Sequence, residues 1–146
     1  MVRNDFSFGA IPIELIEPGM QASYSHTVTD ADIKAYAGLS GDNNPMHMSD
    51  EFAKNSIFGQ RCAHGFFSVG FFSALFGTRI PGPGCLYVAQ SLRFKKPVFI
   101  NDTVLAKVIV ERVNVDKRRV FFKTICTVGE VVVIDGEAEI YIPKSS

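Results

Sequence analysis

Residues 41–47, which read GDNNPMH, place a carboxylate and an imidazole five residues apart. Asp42 and His47 are both groups that can handle protons usefully when they are partly shielded from water. Together they indicate a site for acid–base chemistry. Turn formation is the competing interpretation, because glycine, aspartate, asparagine and proline mark turns for backbone reasons alone. The turn interpretation does not require the histidine.

A second candidate feature is the dipeptide His64-Gly65, which precedes a long apolar run. A helix start presents unpaired backbone N–H groups and the positive end of the helix dipole, and glycine lets a ligand oxygen approach the backbone closely. Gly65 is therefore a candidate donor in an oxyanion hole. A packed or capping histidine beside an ordinary helix-start glycine explains the same two residues.

The elements that position these residues begin with the apolar run over residues 66–76, FFSVGFFSALF. It predicts a helix from residue 63 to about residue 76 that is buried on most of its faces. The run is too short to span a bilayer, so we expect no membrane association. The helix should end at Gly77, because GTRIPGPG adds prolines and further glycines after it.

The chain before this helix alternates short elements with turns. Residues 21–28 predict a first strand, and Thr29 with Asp32 resembles a capping box for a short helix that ends within residues 38–41. Ser49 is a candidate cap for a brief helical turn. The polar segment should therefore be an irregular, turn-rich loop between these two elements.

After the long helix, β-branched and aromatic residues dominate four segments: 85–100, 103–115, 119–128 and 130–142. The breaks INDT, NVDKRR and TVGE predict tight connections, so that strands adjacent in sequence pair antiparallel. Asp135-Gly136 fits either a hairpin turn or a bulge inside one last strand, and we favour the bulge. The prediction is an antiparallel sheet over residues 84–142, with the early strand, packed on one apolar helix.

Composition limits the classes of function. The 146 residues, 47% of them hydrophobic, suffice for one domain with a substantial core. Fifteen basic and fifteen acidic side chains give a formal net charge of zero, which argues against a nucleic-acid binder. The three cysteines form no metal-ligand pattern, so we expect neither a disulfide scaffold nor a metal site. The amino-terminal residues lack the apolar core of a signal peptide, which predicts a cytoplasmic protein.

Two long segments, YAGLSGDNNPMHMSDEFA and FGQRCAHGFFSVGFFSALF, together resemble the MaoC-like (R)-specific enoyl-CoA hydratase family. The hydratase motif of that family has the form G-D-x-N-P-hydrophobic-H. The similarity continues through LRFKKPVFINDTV and covers most of residues 20–142. Small departures from the usual family residues fall at Met46, Met48, Ser49 and Asn101. None of them involves the acid–base pair.

The resemblance implies an α+β hot-dog fold, in which an antiparallel sheet wraps around a long central apolar helix. The whole chain, residues 1–146, would form a single MaoC-like hot-dog domain. The resemblance also implies a homodimer or a dimer of hot-dog units. A single unit would leave a sheet edge exposed, which favours such pairing.

The activity implied by the resemblance is hydration of a trans-2-enoyl thioester of coenzyme A to the (R)-3-hydroxyacyl thioester, or the reverse dehydration. Asp42 would act as the base on a water molecule, and His47 would orient that water and pass a proton toward C2. The backbone N–H of Gly65 would bind the thioester oxygen. Asn44 would fix the loop, and Ser73 would support the aspartate by a hydrogen bond. Coenzyme A belongs to the substrate, and we expect no separate cofactor.

Alternatives to this activity remain open. A 3-hydroxyacyl-carrier-protein dehydratase would use the same pair on a protein-tethered thioester. A non-catalytic acyl-thioester-binding subunit is disfavoured because Asp42, His47 and Gly65 are all present. A thioesterase of the same fold is disfavoured because GDNNPMH is a hydratase motif.

Two features bear on the substrate. The cluster RFKK (Arg93, Lys95 and Lys96) is the nearest group of basic residues for the phosphates of coenzyme A, although a solvated strand end explains it equally well. The helix phenylalanines would narrow an acyl tunnel and favour short or medium chains, although core packing is the commoner role of such residues. The phenylalanines concerned are Phe66, Phe67, Phe71, Phe72 and Phe76.

Overall fold

The computed structural model describes residues 9–144. A short 3-10 turn, Ile13–Leu15, precedes the first strand. The helices are α1 (Asp30–Ser40), α2 (Pro45–Met48), α3 (Asp50–Lys54) and α4 (Gly65–Thr78). The strands are β1 (Gln21–Thr27), β2 (Leu86–Phe94), β3 (Thr103–Asn114), β4 (Arg119–Val128) and β5 (Val131–Tyr141). No helix within residues 9–144 is both long and apolar enough to cross a bilayer.

The five strands form one antiparallel sheet in the order β1-β3-β4-β5-β2. The pairs β3–β4 and β4–β5 are hairpins, as NVDKRR and TVGE predict. The prediction for INDT is wrong, because β2 pairs with β5 and not with β3. The chain leaves β2 at Phe94. Residues 95–102 then carry it past β5 and β4 to β3, which lies next to the opposite edge strand, β1. Pro97 within this crossing has no N–H for a ladder, so the strand cannot continue through it.

The inner face of the sheet supplies the core. Buried and less buried residues alternate along β3 and β4, as expected for strands with one face against a core. The buried side chains pack against the inner face of α4, where the ring centroids of Phe76 and Phe122 lie 4.7 Å apart. Full burial of one such side chain contributes about 1.5–3 kcal/mol relative to exposure. The core therefore fixes α4 against the sheet.

The long helix is covered on one side only. Its buried residues are Ser68, Phe72, Leu75 and Phe76, whereas Phe66 is 60% exposed. The prediction of a helix buried on most of its faces is therefore wrong for the single chain, because one five-stranded sheet covers one side of it. The predicted position of the helix is confirmed to within two residues at each end.

Asp135 and Gly136 lie inside the continuous strand β5, so the hairpin alternative is excluded. The favoured bulge is misplaced, because the irregular pairing lies between Val132 and Ile134. Gly136 instead permits a close approach of two strands. A Cβ at that position would lie 1.8 Å from the carbonyl oxygen of Ser91 on β2, which no side chain can tolerate.

Candidate active site

The end of α1 delivers the chain into the polar segment. This helix starts with the predicted capping box, in which Thr29 and Asp32 bond each other's backbone N–H. It ends at Gly41, whose φ of 79° lies in the left-handed region that favours glycine. The Oγ of Ser40 then accepts a hydrogen bond from the N–H of Asp42 at 3.1 Å. Asp42 is therefore held at a sharp turn.

Asn44 starts the helical turn that carries His47. Its own N–H bonds to Oδ1 of Asp42 at 3.2 Å, and its Oδ1 accepts the N–H of Met46 at 3.0 Å as the N-cap of α2. Pro45 at the first helical position has a backbone angle already set for the turn. The prediction of an irregular loop is therefore wrong for residues 45–48, because cap and proline together form a short helix.

One backbone contact decides the tautomer of His47. Its Nδ1 lies 2.6 Å from the carbonyl oxygen of Cys62. A carbonyl can only accept, so Nδ1 carries the hydrogen. Nε2 is therefore the nitrogen that remains to exchange a proton with water or substrate.

The thiol of Cys62 lies 3.7 Å from the same Nδ1. Burial raises the pKa of this thiol, so it stays neutral. The Nδ1 hydrogen is already directed to the backbone. Cys62 and His47 are therefore not arranged as an activated thiolate–imidazole nucleophile.

Arg61 connects α2 to the start of α1. Its side chain is 9% exposed, and its Nε donates to the carbonyl oxygen of His47 at 2.6 Å. Its Nη2 donates to Oδ1 of Asp30, also at 2.6 Å. Hydrogen bonds from Lys34 and then from Arg61 hold the pKa of Asp30 below its ordinary value. The carboxylate therefore remains charged and holds the guanidinium in place.

His64 completes the cluster from the opposite side. Its ring is 3% exposed, its Nε2 lies 2.9 Å from the carbonyl oxygen of Asp42, and its centroid lies 4.0 Å from that of His47. One donor atom from each of Asp42, His47 and His64 lies within 4.8 Å of the other two. The fold thus brings together the carboxylate and imidazole that the sequence singled out.

This trio is also the one group of potential metal ligands found within residues 9–144. Two of its four ring nitrogens already face backbone carbonyls. Those two nitrogens carry hydrogens that point to the carbonyls, so they are not available as metal ligands. The absence of a metal stays a prediction.

A cavity of about 360 Å³ opens beside the trio at the start of α4. As the first residue of α4, Gly65 has an N–H that the helix cannot bond, and His64 makes no capping bond to the helix. A Cβ on Gly65 would lie 2.6 Å from the ring of Phe94. The cavity is lined by His47, Phe58, Cys62, Ala63, His64, Gly65, Phe66, Ser68, Phe94, Lys95, Lys96, Pro97, Val98 and Ile134.

This combination of polar turn, open helix start and covering sheet can be compared with known proteins. Residues 14–137 match the family model described as the MaoC like domain. The chain belongs to the MaoC-like family. The predicted resemblance is therefore confirmed.

This MaoC-like chain is 49% identical to the (R)-specific enoyl-CoA hydratase of Rhodospirillum rubrum over 130 residues, 89% of this chain and 90% of the relative. It is 41% identical to the 3-hydroxybutyryl-CoA dehydratase of Methylorubrum extorquens over 131 residues, 90% of this chain and 83% of the relative. The solved structure of an (R)-hydratase from Aeromonas caviae involved in PHA biosynthesis aligns with a TM-score of 0.86 at 37% identity, covering 89% and 99% of the two chains. The predicted α+β hot-dog fold is confirmed by this likeness.

Among the predicted site residues of this MaoC-like domain, Ser73 lies apart from the others. It is exposed on α4, eight residues beyond Gly65, which is about 12 Å along a helix axis. Its bond to Asp42 stays a prediction. Ser68, which sequence reasoning missed, is 1% exposed and lines the cavity. The sequence could have indicated this residue, because Ser68 follows Gly65 by three positions and therefore lies on the same face of the helix.

The helix phenylalanines divide among three environments. Phe72 and Phe76 are core residues, as their commoner role predicts. Phe66 lines the cavity, and Phe67 and Phe71 contact aromatic side chains of β1. Only one of the five therefore touches this cavity, and the preference for short or medium acyl chains stays a prediction.

The three residues of the basic cluster lie at two different sites. Lys95 and Lys96 line the cavity, whereas Arg93 lines a groove on the sheet with Lys123 and Glu137. Lys95 lies 3.5 Å from the carboxylate of Asp135. Positive charge at the cavity therefore comes from the two lysines.

Proposed function

We propose that this chain is an (R)-specific enoyl-CoA hydratase, which adds water across trans-2-enoyl-CoA to give (R)-3-hydroxyacyl-CoA and catalyses the reverse dehydration. The observation that carries the proposal is the meeting of the Asp42 carboxylate and the His47 ring beside the open start of α4. The hydratase and dehydratase relatives, which align over nearly the whole chain, support the same chemistry.

The acid–base pair solves the first difficulty, that water is a poor nucleophile. Asp42 takes a proton from a water molecule while the water oxygen forms its bond to C3. The π electrons of the C2–C3 double bond shift toward the thioester, and His47, which starts the step with a hydrogen on each ring nitrogen, delivers the proton of Nε2 to C2. Transfer of the first proton from Asp42 to His47 restores the pair, so water supplies both the hydroxyl and the hydrogen. Such acid–base help contributes roughly 10²- to 10⁴-fold in rate.

The start of α4 solves the second difficulty, the negative charge that develops on the thioester oxygen. The N–H of Gly65 points out of the helix start and has no partner within it. It would donate to that oxygen as charge builds up. One such donor lowers the barrier by about 3 to 4 kcal/mol.

Coenzyme A would approach over the lysine side of the cavity. Lys95 and Lys96 line it, and ammonium groups bind phosphate oxygens well. The apolar side chains of the lining, such as Phe58, Phe94 and Val98, suit the acyl chain. Coenzyme A is therefore proposed as part of the substrate, with no additional cofactor.

The proposed setting is a homodimer in the reducing cytoplasm. All three cysteines, Cys62, Cys85 and Cys126, are unpaired. The edge strand β2 exposes apolar side chains at Leu86, Tyr87 and Val88, which a second copy of the chain would cover. These surfaces support pairing of two hot-dog units.

The function is tested by following loss of the enoyl absorbance when purified protein is added to crotonyl-CoA, with chiral analysis of the product. We expect (R)-3-hydroxybutyryl-CoA, and we expect Asp42→Asn and His47→Gln each to lower kcat by roughly 10²- to 10⁴-fold. Both variants should keep the melting temperature of the wild type, because both residues are only partly covered by protein.

The outcomes separate the alternatives. A folded wild type that ignores crotonyl-CoA but dehydrates a 3-hydroxyacyl carrier-protein thioester would be a carrier-protein dehydratase. A folded wild type that turns over neither thioester, yet binds acyl-CoA in equilibrium dialysis, would be a binding subunit.

A further inference from the structure

We propose that His64 is a positioning residue for the acid–base pair, which holds the backbone of Asp42 by a hydrogen bond and the ring of His47 by stacking. The proposal rests on the proposed hydratase function. It assigns His64 no contact with the substrate.

The hydrogen bond ties the turn of Asp42 to the start of α4. The Nε2 of His64 lies 2.9 Å from the carbonyl oxygen of Asp42, which can only accept, so Nε2 carries the hydrogen. Within residues 9–144 the other hydrogen bonds of Asp42 join it to close neighbours: its N–H donates to Ser40, and its carboxylate accepts from the N–H of Asn44. The bond from His64 spans 22 residues of sequence.

This long-range bond matters because His64 and Gly65 are consecutive. The residue that holds Asp42 is covalently joined to the residue that offers the oxyanion donor. The spacing between base and donor is thereby fixed, and a productive geometry needs that spacing.

Stacking supplies the second hold. The ring of His64 contacts two other rings, with centroid distances of 4.0 Å to His47 and 4.6 Å to Tyr36 and interplanar angles of 33° and 51°. The His47 ring is also fixed at Nδ1 by the carbonyl of Cys62. A ring held on its face and at one nitrogen can only present Nε2 in one direction.

Packing alone does not explain a histidine here. Its Nδ1 is buried and has no hydrogen-bond partner within residues 9–144. A buried polar atom without a partner is unfavourable, and a phenylalanine ring would fill the same space without it. What phenylalanine lacks is the donor to Asp42.

The test compares His64→Phe with His64→Gln. Phenylalanine keeps a stacked ring and loses the donor, whereas the glutamine amide can still donate to the Asp42 carbonyl. We expect His64→Phe to lower kcat about 10- to 100-fold with little change in KM, because misplacing catalytic groups by about 1 Å can cost 10² in rate. We expect His64→Gln to recover most of that loss. The pH profile of kcat should change shape in His64→Phe.

His26→Phe is the matched control. His26 is partly buried, lies edge-on to the ring of Phe67 and bonds through Nε2, at 2.8 Å, to Asp32. It does not line the cavity. Its substitution should lower the melting temperature and leave kcat unchanged. Kinetics are run on whichever thioester the wild type turns over. Failure of the hydratase proposal is then seen in the wild type, whereas failure of the positioning role is seen in the His64 variants.

Three results would overturn the proposal: wild-type kcat in His64→Phe, equal loss in His64→Gln and His64→Phe, or turnover of no thioester by the wild type. A measurement on the wild-type protein tests the same hydrogen bond even if a His64 variant does not fold. Nitrogen-15 NMR should show the neutral ring of His64 as the Nε2–H tautomer. The Nδ1–H tautomer would remove the hydrogen bond and with it the proposal.

Discussion

Single residues in this site owe their chemistry to backbone groups of other segments. His47 offers Nε2 because the Cys62 carbonyl takes the hydrogen of Nδ1, and Asp42 is held because its own carbonyl accepts from His64. Neither contact depends on the side-chain identity of its backbone partner. In the proposed mechanism, folding alone thus positions a carboxylate and an imidazole on a turn-rich segment to exchange protons.

Gly65 gives a sharp prediction at the same scale. A methyl group in Gly65→Ala would lie 2.6 Å from the ring of Phe94, which lines the cavity and must move. We expect kcat to fall about 10- to 100-fold while the melting temperature is kept or raised, since alanine favours a helix by roughly 0.5–1 kcal/mol over glycine. Circular dichroism melting and crotonyl-CoA hydration measure the two effects.

Two further variants serve as controls for Gly65→Ala. Gly77→Ala meets nothing within 4 Å, so it should raise stability without loss of activity. Adding Phe94→Leu to Gly65→Ala should recover part of kcat. A fully active Gly65→Ala enzyme would show that the added methyl group and the displaced Phe94 ring do not block the thioester site.

At the scale of elements, the side chain of Arg61 couples α1 to α2. Arg61→Gln removes the link from Asp30 to the His47 carbonyl, so α2 loses an anchor and we expect kcat to fall about 10-fold. Lys34→Gln is the control, because it removes the other partner of Asp30 without touching His47. It should leave kcat unchanged.

The pH dependence of the Arg61 effect has a definite sign. The pKa of Asp30 is lowered below 3.8, chiefly by Lys34 and then by Arg61. Stabilisation by this carboxylate is therefore complete above that pH and is lost only as pH falls through the folded-state pKa. The ratio of wild-type to Arg61→Gln kcat should stay constant through neutral pH. A ratio that changes near neutrality would mean that another group controls α2.

The elements also show what sequence can predict. The Thr29 capping box, the α4 helix and the two hairpins have local signals, and all were predicted. The place of β2 beside β5 and the link from Arg61 to Asp30 join residues far apart in sequence, so no local pattern contains them. The pair Asp42 and His47 was visible as a motif, whereas the backbone contacts that position it appear only in the folded chain.

At the scale of the whole molecule, the open edge of the sheet predicts assembly. Strand β2 ends the sheet and exposes Val88 at 44%, and one side of α4 is also uncovered. Unpaired edges with apolar side chains are places where strands add. We therefore expect a homodimer in which β2 of two copies lie together.

Val88→Lys tests this assembly, because an edge lysine opposes strand addition and must be desolvated when a partner covers it. We expect the dimer dissociation constant, measured by analytical ultracentrifugation, to rise at least about 10-fold. Val115→Lys is a control of equal exposure, 45%, just beyond β3 and off the edge, and it should leave the dimer intact. A wild type that stays monomeric at micromolar concentration would contradict the prediction. Equal weakening by both lysines would place the contact away from β2.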